Sequence, residues 1–223
     1  MITETKLRKL VSSRPKKEKV IIMRSYRFAK NAHKGQNLSK NSPFILHPTF
    51  VGYLLASWKQ NVEMICAGIL HDTIEDAEVS IYTLSRLFGE KVAFYVDGMS
   101  WFKKWDVKNG RYSRDREGYF DKFCKFVLID EKLILIKAAD EMSKVSKDPL
   151  KTKFRDSVSE GLAKKFWISF FTEVGLKKVS NHLINKLNSP NKEKVVLYNY
   201  LSKSSLKKLR LKLNKIKGIE GLK

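Results

Sequence analysis

Cysteine is nearly missing from this chain, with Cys66 and Cys124 the only two in 223 residues. They lie far apart, in apolar or mixed surroundings, and form no CxxC pair. That spacing excludes a disulfide framework and a thiolate zinc site, and it fits a reducing cytoplasm. Long apolar runs are missing too. No stretch of about eighteen apolar residues occurs, and the opening MITETKLRKLVSSRPKKEKV lacks the apolar core of a signal peptide. A protein neither inserted in a membrane nor exported is therefore expected. There is no internal repeat and no alternating strand pattern, so the expected fold class is all-α.

Acid is short as well: 23 Asp and Glu stand against 45 Lys and Arg, for a formal net charge of +22. Residues 1–20 carry seven Lys/Arg against two Glu, and residues 185–223 carry eleven against two. Such a balance steers phosphorylated ligands from a distance, and it equally makes ordinary solvated surface. It leaves open a nucleic-acid partner for the basic ends, although no base-reading motif accompanies them. With 43% hydrophobic residues, the chain has material for one good core. The expected division is a basic segment over 1–19, a catalytic-size helical domain over 20–188 and a basic amphipathic extension over 189–223.

Pro15 breaks any helix in the opening stretch. From Val20, the residues Ile22, Tyr26 and Ala29 recur at helical spacing, and the polar NLSKNSP after them reads as a loop. A helix is expected to begin just after His47-Pro48. VEMICAGILHDTIED reads as a core helix ending in acids. Ser80 is the expected N-cap of IYTLSRLFG, whose Gly89 supplies a left-handed stop. KKWDVKNGRYSRDREG reads as an exposed loop around Asn109-Gly110. Helix resumes through LILIKAAD and AKKFWISFFTEVGLKKVSNHLINKL. Beyond Pro190, Leu206, Leu209, Leu213 and Ile216 form an apolar stripe opposite a lysine-rich face.

Histidine is scarce, with four residues. His71 and Asp72 stand together at the end of an apolar helix, where a buried carboxylate is costly unless paired or bound to a cation. Asp72, Glu75 and Asp76 at i, i+3 and i+4 place three repelling carboxylates on one face. Asp140 interrupts an apolar helix where an unpaired charge is hard to accommodate. His47 precedes a proline whose restricted backbone fixes the direction of the ring. Two histidines and two aspartates offer borderline nitrogen and hard oxygen donors, suited to Mn²⁺, Fe²⁺ or Zn²⁺.

FAKNAHKGQ, PFILHP, ICAGILHDTIEDAEVSIYTLSRLFGEKVAFYVDG and LILIKAAD, over roughly residues 28–145, resemble the HD hydrolase domain of the RelA/SpoT alarmone enzymes. The likeness is strongest to small stand-alone hydrolases similar to the metazoan SpoT homologue. The resemblance implies Mn²⁺ on His47, His71, Asp72 and Asp140, and a water positioned and activated by Glu75 and Asp76. It also implies removal of pyrophosphate from the 3′ position of (p)ppGpp, with a separate synthetase acting in the opposite direction. No nucleophilic Ser or Cys is required. His33 reads as packing or support for the ligands, and His182 as an ordinary helix-surface residue.

Departures from the family gather at its nucleotide contacts. Leu38-Ser39 stand where the family has Arg-Lys, with Lys40 one place later. Ser100-Trp101-Phe102 replace Thr-Lys-Leu. Ala139-Asp140-Glu141-Met142-Ser143-Lys144 replace ADRLHN, which keeps the metal ligand and changes the Arg, His and Asn. Lys40, Ser100 and Lys144 are thus the expected substrate-binding residues, with Lys103 and Lys104 as further cations for phosphates. The expected function is a metal-dependent (p)ppGpp 3′-pyrophosphohydrolase. The alternatives are an HD hydrolase of another phosphorylated nucleotide, such as an adenosine alarmone, and a degenerate module that binds nucleotide or RNA.

Overall fold

The computed structural model describes residues 3–39, 42–106, 111–145, 166–187, 201–218 and 220–222. Helices dominate, as expected. The opening stretch, expected to be a polar segment, forms α1 (Glu4–Leu10) and, directly after Pro15, the first turn of α2 (Lys16–Ala32). Leu7 and Val11 are fully buried, and α1 packs on α3 (Leu46–Ser57). Two apolar anchors in a basic sequence are enough to dock a short helix that could not persist alone.

The centre of the fold is α4 (Val62–Leu70), packed against α2, α3, α7 (Glu90–Met99) and α9 (Leu133–Val145). Its Asn61 cap accepts from Met64 N–H at 3.0 Å, and every residue from Met64 to Leu70 is buried. A helix apolar on all sides needs such a central place. Helices α3 and α4 cross closely because Gly52 faces Ile69, and Gly68 faces Leu55 and Val51, with no room for a β-carbon at either glycine. This crossing brings the start of α3, with His47, beside the end of α4, with His71.

A short α5 (Thr73–Ala77) and the α6/α7 pair follow, α6 spanning Ile81–Phe88. Ser80 caps α6 by accepting from Thr83 N–H at 3.1 Å. Gly89 takes φ 90° and ψ 158°, a positive-φ extended conformation and not the left-handed helical one expected. His47 and Pro48 lie inside the first turn of α3, which begins at Leu46 and not after the proline.

Two stretches expected as loops are antiparallel hairpins. Strand β1 (Asn37–Ser39) pairs with β2 (Ser42–Pro43), and β3 (Phe102–Asp106) pairs with β4 (Arg111–Asp115) in the register Phe102↔Asp115 to Asp106↔Arg111. The Asn109-Gly110 turn signal lies outside the described residues. Asp115 then caps α8 (Arg116–Ile129) through Gly118 N–H at 3.1 Å.

Behind α8 lies an aromatic layer of Tyr119, Phe120, Phe123, Phe166, Trp167 and Phe170, with Phe120 and Phe166 stacked at 4.0 Å. The helix expected over the later apolar run is split at Gly175 (φ 91°) into α10 (Ile168–Glu173) and α11 (Lys177–Leu187). On α11, His182 is half-buried with ring nitrogen Nε2 shielded from solvent, not the surface residue expected. Helix α12 (Lys203–Leu213) packs on α10 and buries Leu206, Leu209 and Leu213. Among the described residues, no helix is long and apolar enough to cross a membrane.

Candidate metal centre and active site

The end of α4 is set by side chains that take its last carbonyls. His71 Nδ1 bonds Gly68 O at 2.9 Å, and Thr73 Oγ1 donates to Leu70 O at 2.7 Å. The helix therefore stops at Leu70, and α5 starts afresh after Asp72. This corrects the expectation of one helix running into the acids: Asp72 sits at the N-cap of α5, with Glu75 and Asp76 in its first turn. Three carboxylates gathered at a helix N-terminus are favoured by its dipole.

Four predicted donors converge. His47 Nε2 and His71 Nε2 are 3.3 Å apart. Asp72 Oδ1 lies 3.1 Å from His71 Nε2, and Asp72 Oδ2 lies 3.5 Å from His47 Nε2. From α9, Asp140 Oδ1 reaches within 3.3 Å of His47 Nε2 and 3.6 Å of His71 Nε2. Each ring is held by its other nitrogen, His71 through Gly68 O and His47 through Ser143 Oγ. That arrangement turns both Nε2 atoms inward, as metal-binding imidazoles require.

Asp140 was expected to be partnered, as a metal ligand, because an unpaired charge is hard to accommodate in its apolar helix, and two lysines of the same helix pair it as well. Its Oδ2 accepts from Lys137 Nζ at 2.9 Å and from Lys144 Nζ at 2.7 Å. Its Oδ1 is buried with no hydrogen-bond partner among the described residues, facing the two imidazole nitrogens. Burial would raise the pKa of the carboxyl, but Lys137 and Lys144 outweigh it and hold the group well below the usual range. Burial would lower His71 as well; Asp72 and Asp140 prevail and push it up to about 9. In His47 burial wins, and its pKa falls. A buried anionic oxygen with an unused lone pair, facing two imidazole nitrogens and a second aspartate, fits a divalent cation.

Beside the cluster, Glu75 Oε1 accepts from the backbone N–H of Trp101 at 2.7 Å. Trp101 stacks on the fully buried Tyr119 at 4.2 Å. Asp76 is anchored through its carbonyl, which accepts from Gln36 Nε2 at 2.5 Å. His33 bonds Gln36 Oε1 through Nδ1 at 2.9 Å and lies on Phe44, 4.6 Å between ring centroids. Phe44 in turn meets the His47 ring edge-on at 6.2 Å.

The predicted substrate residues fare differently. Lys144 stands beside the cluster, bonded to Asp140 and 3.5 Å from Glu141 Oε1. Ser100 is 2% exposed, and its hydroxyl donates to Val96 O at 2.8 Å, so the structure does not present it to a ligand. Lys40, and the side chains of Lys103 and Lys104, lie outside the described residues.

Sequence reasoning missed Lys137, Ser143 and Gln36. A signal existed for Lys137, a lysine three residues before the buried aspartate in an apolar helix. It is 3% exposed, ion-paired to Asp140 and to Glu141 at 3.1 Å, with its ammonium 4.6 Å above the Trp167 ring.

A family model described as an HD domain matches residues 25–157. The chain belongs to the HD domain family. A divalent-metal site goes with this domain, and the His47, His71 and Asp72 donor atoms lie within 4.8 Å of one another. The HD domain here is similar to a guanosine-3′,5′-bis(diphosphate) 3′-pyrophosphohydrolase of Vibrio cholerae, 38% identical over 122 residues, which are 53% of this chain and 17% of that protein. It is 34% identical over 119 residues to the bifunctional (p)ppGpp synthase/hydrolase SpoT of Escherichia coli K12, covering 53% and 17%. It is 32% identical over 142 residues to an Aquifex aeolicus guanosine-3′,5′-bis(diphosphate) 3′-pyrophosphohydrolase, covering 64% and 20%. The matched stretch thus spans a fifth or less of each relative. A solved metazoan ortholog of SpoT, described as hydrolyzing ppGpp, shares the HD fold, with TM-score 0.50, 15% identity, and 88% and 97% of the two chains covered.

Proposed function

We propose that this chain is a metal-dependent (p)ppGpp 3′-pyrophosphohydrolase, with His47, His71, Asp72 and Asp140 as ligands of one divalent cation, Mn²⁺ by preference, and Glu75 and Asp76 as the catalytic acids. The observation that carries this reading is the convergence of the buried Asp140 Oδ1, two inward-facing imidazoles and Asp72 on one point. The names of the Vibrio and Aquifex relatives support the substrate. A bound divalent cation would lower the pKa of a water and offset charge on the phosphoryl oxygens.

The chain's own groups do the rest. Glu75 is the proton acceptor, and the Trp101 N–H on Oε1 fixes the plane of its carboxylate. Asp76, tied to the β1 side of the site by Gln36, orients the same water. Lys144 meets the departing pyrophosphate from the rim of the cluster, exchanging part of its bond to Asp140 for a phosphoryl oxygen. The substrate implies a separate alarmone synthetase as functional counterpart, and the two buried free thiols accord with a cytoplasmic setting.

One experiment decides between substrates. Metal-loaded protein is incubated with ppGpp, pppGpp and the adenosine analogues, and the products are separated by chromatography. Pyrophosphate with GDP or GTP is expected. Release from the adenosine analogue alone would transfer the reading to another phosphorylated nucleotide, which Glu141 and Lys144 at the family's Arg and Asn positions favour. Binding without turnover would make the domain a nucleotide-binding module.

A further inference from the structure

Away from the metal cluster, a surface cleft of about 410 Å³ opens where the C-terminal segment meets the HD core. Four of its walls' side chains are ammonium groups: Lys132 before α9, Lys212 at the end of α12, and Lys215 and Lys217 just beyond. Glu131 is the one carboxylate among the described lining residues, and Lys212 Nζ stands 3.5 Å from it. Met64 and Ile216 supply apolar surface within the same cleft.

The cleft is built, not a gap between loose ends. Gln60, itself 5% exposed, donates through Nε2 to Lys217 O at 3.1 Å and to Trp58 O at 2.6 Å, pinning the C-terminal wall to the α3–α4 turn. Gly218 lies so close to Trp58 O that a β-carbon would not fit. Leu209 and Leu213 on the inner face of α12 are buried, which fixes the direction in which Lys212 projects.

We infer that this cleft is a second, non-catalytic binding site for a small polyanion of the phosphate-ester or polyphosphate class. Four like charges brought together around a concave surface repel one another, and a multiply charged anion relieves that repulsion. The size suits a nucleotide-scale ligand, since small-molecule pockets begin near roughly 300 Å³. Lys203, Lys207 and Lys208 make the contrast: they stand exposed on α12 and are not among the residues that line this cleft. The cleft sits at the N-terminal ends of α4 and α9, the two helices that lead to His71, just past the end of α4, and to Asp140, midway along α9. An occupant would touch both rods that carry the metal ligands.

Calorimetric titration of the full chain with inorganic triphosphate, in excess chelator, tests the site without requiring turnover, so its outcome is independent of the hydrolase assay. The Lys212→Ala/Lys215→Ala/Lys217→Ala protein is expected to bind roughly tenfold or more weakly than the unmodified chain, the scale of lost charge-assisted contacts. The Lys203→Ala/Lys207→Ala/Lys208→Ala protein, with the same loss of charge, is expected to bind unchanged. Equal weakening in both would show diffuse charge and overturn the site, as would no weakening in the first or binding of an RNA oligonucleotide alone. If the first variant does not fold, Lys132→Gln, which leaves the C-terminal segment intact, gives the same readout.

Discussion

The backbone N–H of Trp101 donates to Glu75 Oε1 at 2.7 Å, joining the first turn of α5 to the end of α7. A carboxylate held on one oxygen by a main-chain donor keeps its orientation when its charge is removed, because a glutamine carbonyl accepts the same bond. Glu75→Gln is therefore expected to retain metal and fold while turnover falls by roughly 10² to 10⁴, the scale of a lost general base. Metal content measured beside kcat checks the assignment. A fully active Glu75→Gln protein, or one inactive only through loss of metal, would refute it. Asp76→Asn should be milder, since its anchor to Gln36 is through the backbone.

His71→Ala and Asp140→Ala should lose metal and turnover together, and exhaustive chelation should abolish turnover in the unmodified chain. Elemental analysis of the purified variants separates this from a purely catalytic defect. Undiminished hydrolysis with no metal detectable would end the metal-dependent mechanism.

The predicted ligands were legible because each is an anomaly where it stands. Asp140 interrupts an apolar run, and the His71-Asp72 pair closes a helix with no polar face. Ser80 was legible by the same local logic. What surrounds Asp140 was not legible, since Lys137 reads as one more lysine until the helix is seen to be buried on all sides. Lys137 and Glu141 stand on neighbouring turns as a buried pair that only tertiary packing creates. The hairpin β3/β4 escaped for a related reason: its strands are rich in charge, and Asn109-Gly110 alone signals a turn between any two elements. The end of α4 at Leu70 depends on two side chains capturing carbonyls, a competition that periodicity does not register.

Asp130 offers a test by pH. Its carboxylate accepts from the Tyr95 hydroxyl at 2.8 Å and from Lys132 N–H at 3.0 Å, and Lys91 Nζ approaches to 2.5 Å. Burial opposes the charged form, but Lys91, the Lys132 amide and Tyr95 prevail and lower its pKa. A group depressed on folding stabilises fully above its unfolded pKa and loses that contribution as pH falls through the folded one. Asp130→Asn should cost about 1–2 kcal/mol near neutrality, the Lys91 pair being partly screened. The gap to the unmodified chain should close below pH ~4. Urea melts at both pH values check this, and a gap that widens in acid would contradict it.

Leu209 on α12 is buried against the fold. Leu209→Ala should lower stability by about 2–4 kcal/mol through transfer and cavity costs. It should leave kcat of the remaining folded enzyme unchanged, because every proposed ligand and catalytic acid precedes Val145. A drop in kcat with no change in melting temperature would assign the C-terminal helix to the reaction.

The four inward donors come from the start of α3, the α4–α5 junction and the middle of α9, segments separated by up to 93 positions along the chain. A cation gripped by all four is a clasp that only the folded chain can close. Any ligand confined to the native state shifts the folding equilibrium by mass action, about 2.7 kcal/mol at a hundredfold excess over Kd. The metal's supply would thus set the lifetime of the protein as well as its rate. A cell short of that ion would lose more of this chain to proteases that feed on its opened form.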